Sequence, residues 1–531
     1  MSSFTLDPIQ QMKSQSVELQ TFDVLPEAEA ERRRLGRWFK RADFQATGLF
    51  AIRYFGRLTV SLEGSLPSGV EISICVGDPG YGPPEETGDD FSIFPLEGNS
   101  VELPNGVQGT VWVRAVHAGE QVLPKAVTLA FTKTPFVISV PTYRHGETSA
   151  SEWRRRLEDF SLFNDVIPAQ LISDRVIISA WPSTALAFAD HDMSRVLDEY
   201  ARILTCESAI AQIGPDLEQT PESVLRILVA EKASGNPNAG NYRISLPRYG
   251  REFLTVEGLR ESWGVWHELG HIQQQIAWMA QALVENSVNI YSLAVQRMYQ
   301  QPSRVVPYDA QAHLFLADAS PDKRIEDCDE FVRLVMWEQF RAVYGEAFFH
   351  RLHDESRRTG NSDLFQGDAQ YRHYFMVLCS QTAREDLSLF FQRWGLHPTP
   401  ATLKAIADLN LPKPRLEPSS VHLFDATYIR SAYFTGEGMV VITGTAHPGS
   451  RLKTTSDPQQ GWYDPEEGIV HAGSDGLFTL RTRRLVNGAV VVKSFDARSG
   501  DGLSESKPYP LSVSSAPLHD AQALTGCTPS P

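Results

Sequence analysis

The hydrophobic period changes twice along this 531-residue chain, and each change restricts the fold of the residues it borders. From Phe44 to about Thr134, short runs such as FAIRYFGRLTVSLEG, VEISICVG, GTVWVRAV and AVTLAFTK alternate apolar and polar residues between Gly, Pro and Asn. Alternation sends successive side chains to opposite faces, so these runs predict an antiparallel β-sandwich. From about Pro135 to Leu411 the period becomes helical, with segments around 151–164, 191–212, 257–299, 324–358 and 370–395. After the proline-rich turn LNLPKPRLEP, alternation returns in GMVVITGTA, GLFTLRTRRL and AVVVKSFDARSG. The expected class is multidomain α+β. A helical or irregular lead-in (1–42) precedes a β-sandwich (43–134), a central mainly helical domain (135–412), a small C-terminal β-sandwich (413–515) and a flexible tail (516–531).

Composition excludes several function classes. Hydrophobic residues at 42% and charged residues at 21% are ordinary for a folded globular chain. A formal charge of -16 argues against nucleic acid as a partner, because that binding runs on clustered Lys and Arg. Five cysteines, none paired as C-x-x-C, suggest neither a disulfide framework nor a thiolate metal site. No run of about 18 apolar residues is present, so no transmembrane segment is expected, and the N-terminus MSSFTLDPIQQMKSQSVELQ lacks the pattern of a secretory signal.

The stretch SWGVWHELGHIQQQ, Ser262 to Gln275, carries the chemistry. Residues four apart share a helix face, so His267 and His271 can both turn an imidazole toward one ion. Glu268 is then placed to reach a water on that ion instead of the ion itself. Zinc with three protein ligands keeps a fourth position for water and lowers its pKa to roughly 7, where a carboxylate can take the proton. Apolar Val265, Trp266, Leu269, Ile272 and Ile276 indicate a helix that packs in a core. Gly270 is a poor helix former, which suggests that something approaches the backbone there. A third ligand is available in Glu285, fourteen residues beyond His271 in ALVENSVNIYSLAVQ, with room to turn and return. Asn289, one turn later on the same face, could orient a ligand.

These residues resemble the enhancin and mucin-degrading branch of the gluzincin metallopeptidases. In that branch a Trp-Gly element precedes the H-E-x-x-H helix, Gln follows it closely, and a Glu with Asn one turn later completes it. WEQFRAVYGEAFFHRLHDESR (337–357) and AREDLSLFFQRWGL (383–396) are similar to two further helical signatures of the family, and ATGLFAIRYFGRLTVSLEG to the β-sandwich that precedes its peptidase domain. The resemblance implies a gluzincin peptidase domain over 135–412, with one Zn2+ held by His267, His271 and Glu285 and Glu268 as general base. It also implies glycoprotein or mucin-like O-glycosylated substrates. The C-terminal sandwich would be Ig-like or carbohydrate-binding-like. Two departures are visible: no signal peptide, where many relatives have one, and Ile272-Gln273 where relatives often carry a polar residue and a further His before the Gln matched by Gln274.

Tyr371 and His373 are candidates to stabilise the transition-state oxyanion. NYRISLP, with Asn241 and Tyr242 at its head, is a candidate strand for pairing with substrate backbone. Trp112, Trp462 and Tyr463 are candidates to stack on sugar rings. Expected localisation is secreted or cell-surface by a route without a signal peptide, and cytoplasmic before export. Two alternatives stay open: a noncatalytic glycan-binding or adhesin protein on a peptidase-derived scaffold, and a delivered toxin or effector protease.

Overall fold

A computed structural model describes residues 16–510 apart from 54–57, 83–90, 118–124, 135–136, 161–164, 215–216, 218–219, 249–252, 300, 302, 360–366, 424–426, 436–438, 448, 456–460, 474–475, 484–488, 496–501 and 507–508. The expected tail, 516–531, lies outside the described residues. The chain forms two compact units. One comprises Met1–Met279, Leu283–Gln301 and His353–Gly367, and the other Ala280–Ala282, Pro302–Leu352 and Asp368–Pro531.

In the first unit, two sheets enclose one apolar cluster. Four strands run in the order Ser16–Asp23, Ala126–Lys133, Leu58–Glu63, Ser100–Glu102. The facing sheet is built on Gln45–Ala51, Gly109–His117 and Val70–Val76. Phe22, Val60, Leu129 and Phe131 from the first sheet and Leu49, Ile72, Val111 and Val113 from the second share the buried interior. Inward apolar residues of both sheets thus meet as the alternation requires. Ser16–Asp23, within the stretch expected to be a lead-in, pairs antiparallel with Ala126–Lys133 along its whole length and so belongs to this sheet pair. Trp112, expected at a sugar-binding surface, is instead wholly buried, its indole N–H donating to the Gly77 carbonyl at 2.9 Å.

The central region is mainly helical as expected, but the expectation omitted a sheet. A six-stranded mixed sheet runs through it in the order Thr142–Arg144, Ala169–Ile172, Val176–Ala180, Ile227–Lys232, Arg243–Pro247, Asn238–Gly240. Its inner strands VIISA and ILVAEK are buried at every position, Glu231 and Lys232 included, so they show no period of two. Helices Ala150–Phe160 and Met193–Ile210 contribute Trp153, Leu157, Val196, Tyr200 and Ile203 to the cluster that covers this sheet.

The helical signatures near 337 and 390 are packing signatures of the second unit. Trp337, Phe340, Phe375, Phe390, Phe391 and Trp394 are all fully buried. Phe340 and Phe390 rings lie 4.6 Å apart, and Trp394 donates its indole N–H to Gln339 at 3.0 Å. Toward the C-terminus of this unit, a three-stranded sheet (Tyr428–Phe434, Val440–Thr445, Leu477–Thr482) and a five-stranded sheet built on Arg451–Thr455 and Ala489–Phe495 share a cluster of Val440, Ile442, Leu452, Phe478, Val490 and Val492. Trp462 is half-buried there, its ring edge-on to Phe495, and Tyr463 pairs through its backbone with Thr454.

Candidate metal centre

The motif forms helix Trp263–His271, capped by Ser262, whose hydroxyl accepts from the Val265 N–H. Val265, Trp266, Leu269 and Ile272 enter the cluster beneath the sheet, which fixes the rotation of the helix and turns His267 and His271 to the other side. The helix ends at His271, earlier than its apolar periodicity suggests. Beyond it the chain runs beside residues 36–38: Trp38 N–H donates to the Gln274 carbonyl at 2.8 Å and Ile276 N–H to the Gly36 carbonyl at 3.0 Å. Tertiary pairing overrides the local helical pattern.

The return comes in two pieces, Val284–Ser287 and Asn289–Met298. A Cβ on Gly270 would stand 3.0 Å from the Val288 carbonyl oxygen and 3.3 Å from Tyr291 Cβ. The absent side chain is what lets the second helix pass this close.

His267, His271 and Glu285 come together. His267 Nε2 and His271 Nε2 are 3.2 Å apart, and Glu285 Oε2 lies 3.1 Å from the first and 3.4 Å from the second. Donors about 2.0–2.1 Å from a tetrahedral zinc ion stand roughly 3.3 Å from one another, so this triangle has the edge lengths of one face of such a site. Two imidazoles and a carboxylate are the right chemistry for that ion. The other ring nitrogens are engaged. His267 Nδ1 donates to Asn289 Oδ1 at 2.8 Å, and Asn289 Nδ2 donates to the Glu285 carbonyl at 2.8 Å. His271 Nδ1 donates to Gln274 Oε1 at 2.6 Å, and Gln274 Nε2 donates to the Val284 carbonyl and Ser287 Oγ. Both tautomers therefore leave the Nε2 lone pairs facing the triangle.

The run Gln273-Gln274-Gln275 is fully buried, and each amide has its own task. Gln273 accepts from Arg37 at 2.7 Å and donates to Ser208, whereas Gln275 donates to the Leu35 carbonyl.

Electrostatics distinguish the two carboxylates. Without an ion, protonated His267 and His271 rings donating from Nε2 would hold Glu285 well below the usual carboxylate range; the Nε2 lone pairs are those of the neutral rings. Burial alone would lower His267, but Glu285 and the nearby charge of Glu268 raise it. Glu268, only 6% exposed, is raised by burial, which makes it a stronger base than a solvated glutamate.

A cleft of about 230 Å³ opens on Glu268, His271 and Glu285, with Trp38, Phe39, Asn238 and Ala239 on its walls. A larger cavity, about 760 Å³, is lined by Gln20, Asp23, Arg144 and Arg226 among others and includes none of His267, His271 and Glu285, so donor chemistry and not size marks the candidate site. Trp38 and Phe39 went unnoticed in the sequence because they sit in the charged run RRRLGRWFKR; an aromatic pair inside such a run was the available signal.

The substrate-pairing strand needs correction. Arg243–Pro247 lies between Ile227–Lys232 and Asn238–Gly240, paired on both edges. Tyr242 N–H donates to Lys40 and its carbonyl accepts from Leu228, so its backbone is already used, and Asn241 Oδ1 accepts from Lys40 N–H. The edge is Asn238–Gly240, in the cleft wall. Tyr371 and His373 are on helix Asp368–Ala383 of the second unit, with His373 Nδ1 2.9 Å from Thr402 Oγ1.

Residues 137–395 match the family described as peptidase M60, enhancin and enhancin-like. The chain carries an enhancin-like peptidase M60 domain. TRPM8 channel-associated factor 2 of Homo sapiens is 25% identical to it over 328 residues, covering 58% of this chain and 32% of that one, so the chain spans under a third of this curated relative. A functionally unknown conserved protein from Bacillus anthracis superposes with a TM-score of 0.64 at 21% identity, covering 93% of this chain and 100% of the other. The ZmpB metallopeptidase from Clostridium perfringens gives 0.62 at 15%, with 93% and 100% covered. The M60 catalytic domain of ZmpC from the same organism, in complex with the sialyl T antigen, gives 0.60 at 15%, with 92% and 99% covered. At these identities the likeness is one of fold. Among the described residues, no helix of the chain is long and apolar enough to cross a membrane.

Proposed function

We propose that the chain is a zinc endopeptidase acting on glycoproteins, mucin-like O-glycosylated chains in particular. The observation that carries this reading is the triangle of His267 Nε2, His271 Nε2 and Glu285 Oε2, with edges of 3.1 to 3.4 Å, beside an uncoordinated buried Glu268. Zinc, when bound there, supplies Lewis acidity toward a peptide carbonyl and acidifies a water. Glu268 takes a proton from the attacking water and delivers it to the departing amine nitrogen. The edge strand Asn238–Gly240 pairs with extended substrate backbone, and Trp38 and Phe39 offer apolar surface to neighbouring substrate groups.

Support for glycoprotein substrates comes from the M60 match and from the structure of the ZmpC domain in complex with the sialyl T antigen. Secretion or surface display belongs to the same reading, since glycoproteins of this kind lie outside cells. Curated relatives named for association with a channel favour a second, noncatalytic reading. Incubating metal-replete protein with an O-glycosylated mucin and with its deglycosylated form, followed by mass spectrometry, separates the two. A peptidase yields discrete chelator-sensitive fragments from the glycosylated form, whereas a binding protein retains the mucin at full length.

A further inference from the structure

A second group of metal-type donors lies wholly within the second unit: Asp309, His313 and His422. Asp309 and His313 are four residues apart on helix Asp309–Ala317, so they share one face, the same spacing that joins His267 to His271. His422 comes from the segment after the short helix Pro418–Ser420, at the approach to the C-terminal sheets. Asp309 Oδ2 is 2.7 Å from His422 Nδ1, and Asp309 Oδ1 is 3.6 Å from His313 Nε2. The two contacts use different carboxylate oxygens, and one ligand atom from each of the three residues lies within 4.8 Å of the others, so small side-chain shifts bring them to the roughly 3.3 Å edge expected between donors around a tetrahedral zinc ion.

We propose that Asp309, His313 and His422 form a second divalent-metal site, for zinc or a similar borderline ion, that clamps helix Asp309–Ala317 to the segment around His422.

The surroundings fit such a clamp. Asp309 is 8% exposed, and its Oδ1 accepts from the Leu423 N–H at 3.0 Å, which aims the carboxylate before any ion arrives. His313 Nε2 lies 3.1 Å from the Val421 carbonyl. That carbonyl also accepts from Gln339 Nε2 at 3.1 Å, so it keeps a partner when His313 moves its proton to Nδ1 and offers Nε2 to a metal. The imidazoles of His313 and His422 are stacked, with centroids 3.7 Å apart and planes at 22°. Coordination requires the His422 ring to turn out of that stack, and its side chain, 41% exposed, has room to do so. Two imidazoles and one carboxylate suit zinc, cobalt or nickel and disfavour magnesium and calcium, which take oxygen ligands.

This inference is independent of the peptidase reading. The full chain is stripped with a chelator, dialysed against zinc chloride and assayed for bound metal by mass spectrometry. Wild type should hold two equivalents, and the His267→Ala/His271→Ala variant one. Adding His422→Ala to that variant should remove the remaining equivalent and the zinc-dependent rise in its Tm. His422→Gln, which keeps a donor for Asp309, serves should His422→Ala fail to fold. A single equivalent in wild type, lost with His267 and His271, would overturn the proposal. So would an equivalent that survives both His422 substitutions.

Discussion

Gln274 accepts the Nδ1 proton of His271 at 2.6 Å, and its amide cannot be turned the other way because Nε2 already donates to the Val284 carbonyl and Ser287 Oγ. One side chain thus sets the tautomer of a proposed zinc ligand and ties the end of its helix to the start of the segment bearing Glu285. Asn289 does the same for His267. Gln274→Ala and Asn289→Ala should each weaken zinc binding by about 10- to 100-fold, measured by competition with a chromophoric chelator. Unchanged affinity in both would show that neither amide orients its imidazole.

Gly270 is a position where a good helix former should do harm. Alanine would gain about 1 kcal/mol of helix propensity. Its Cβ, however, would meet the Val288 carbonyl at 3.0 Å, a backbone atom that cannot swing aside. Overpacking of this kind costs typically 1–3 kcal/mol, so Gly270→Ala should lower Tm and, by pushing away the second helix, weaken zinc binding. A stabilised variant with full metal affinity would contradict the close approach.

Glu268→Gln keeps the shape of the cleft and removes the base. Zinc content should stay at the wild-type level while kcat on a mucin-derived glycopeptide falls by about 10²- to 10⁴-fold. Wild-type turnover in a metal-loaded Glu268→Gln sample would reject the proton-transfer role.

Glu222 lies 3.0 Å from Arg41, 3.3 Å from Arg175 and 3.8 Å from Arg37. Against the burial that would raise it, these three guanidinium groups hold its carboxyl at about 2, below the ordinary value of 4.5. Above pH 4.5 the group is ionised in folded and unfolded chains alike and its full stabilisation is present. As pH falls from 4.5 toward 2, the unfolded chain takes up the proton first and that stabilisation drains away. The amount is on the order of 3 kcal/mol. Denaturant unfolding between pH 4.5 and 2 should be visibly less pH-dependent in Glu222→Gln, and identical slopes would remove Glu222 from the account.

The juxtaposition of His267 and His271 was readable because helical spacing converts directly into shared faces, a gap of four in this case, and Gly270 signalled the approach that the Val288 carbonyl makes. The alternating runs were equally readable, since each sheet pair buries one face. The central sheet was hidden because VIISA and ILVAEK are buried on both faces and lose the period of two. Long-range pairing also stayed hidden. Nothing near Ile272 announces that the helix stops to run beside residues 36–38, and nothing near Arg243 tells an interior strand from an edge. The separate donor cluster escaped because Asp309 and His422 are more than a hundred residues apart in the chain.

Anomalous scattering at the zinc edge from crystals of the full chain tests the central claim most directly. The account predicts a peak at full occupancy about 2.0–2.2 Å from His267 Nε2, His271 Nε2 and a Glu285 carboxylate oxygen. A zinc-replete crystal with no peak at that triangle, or with a peak that Glu285 does not ligate, would contradict it.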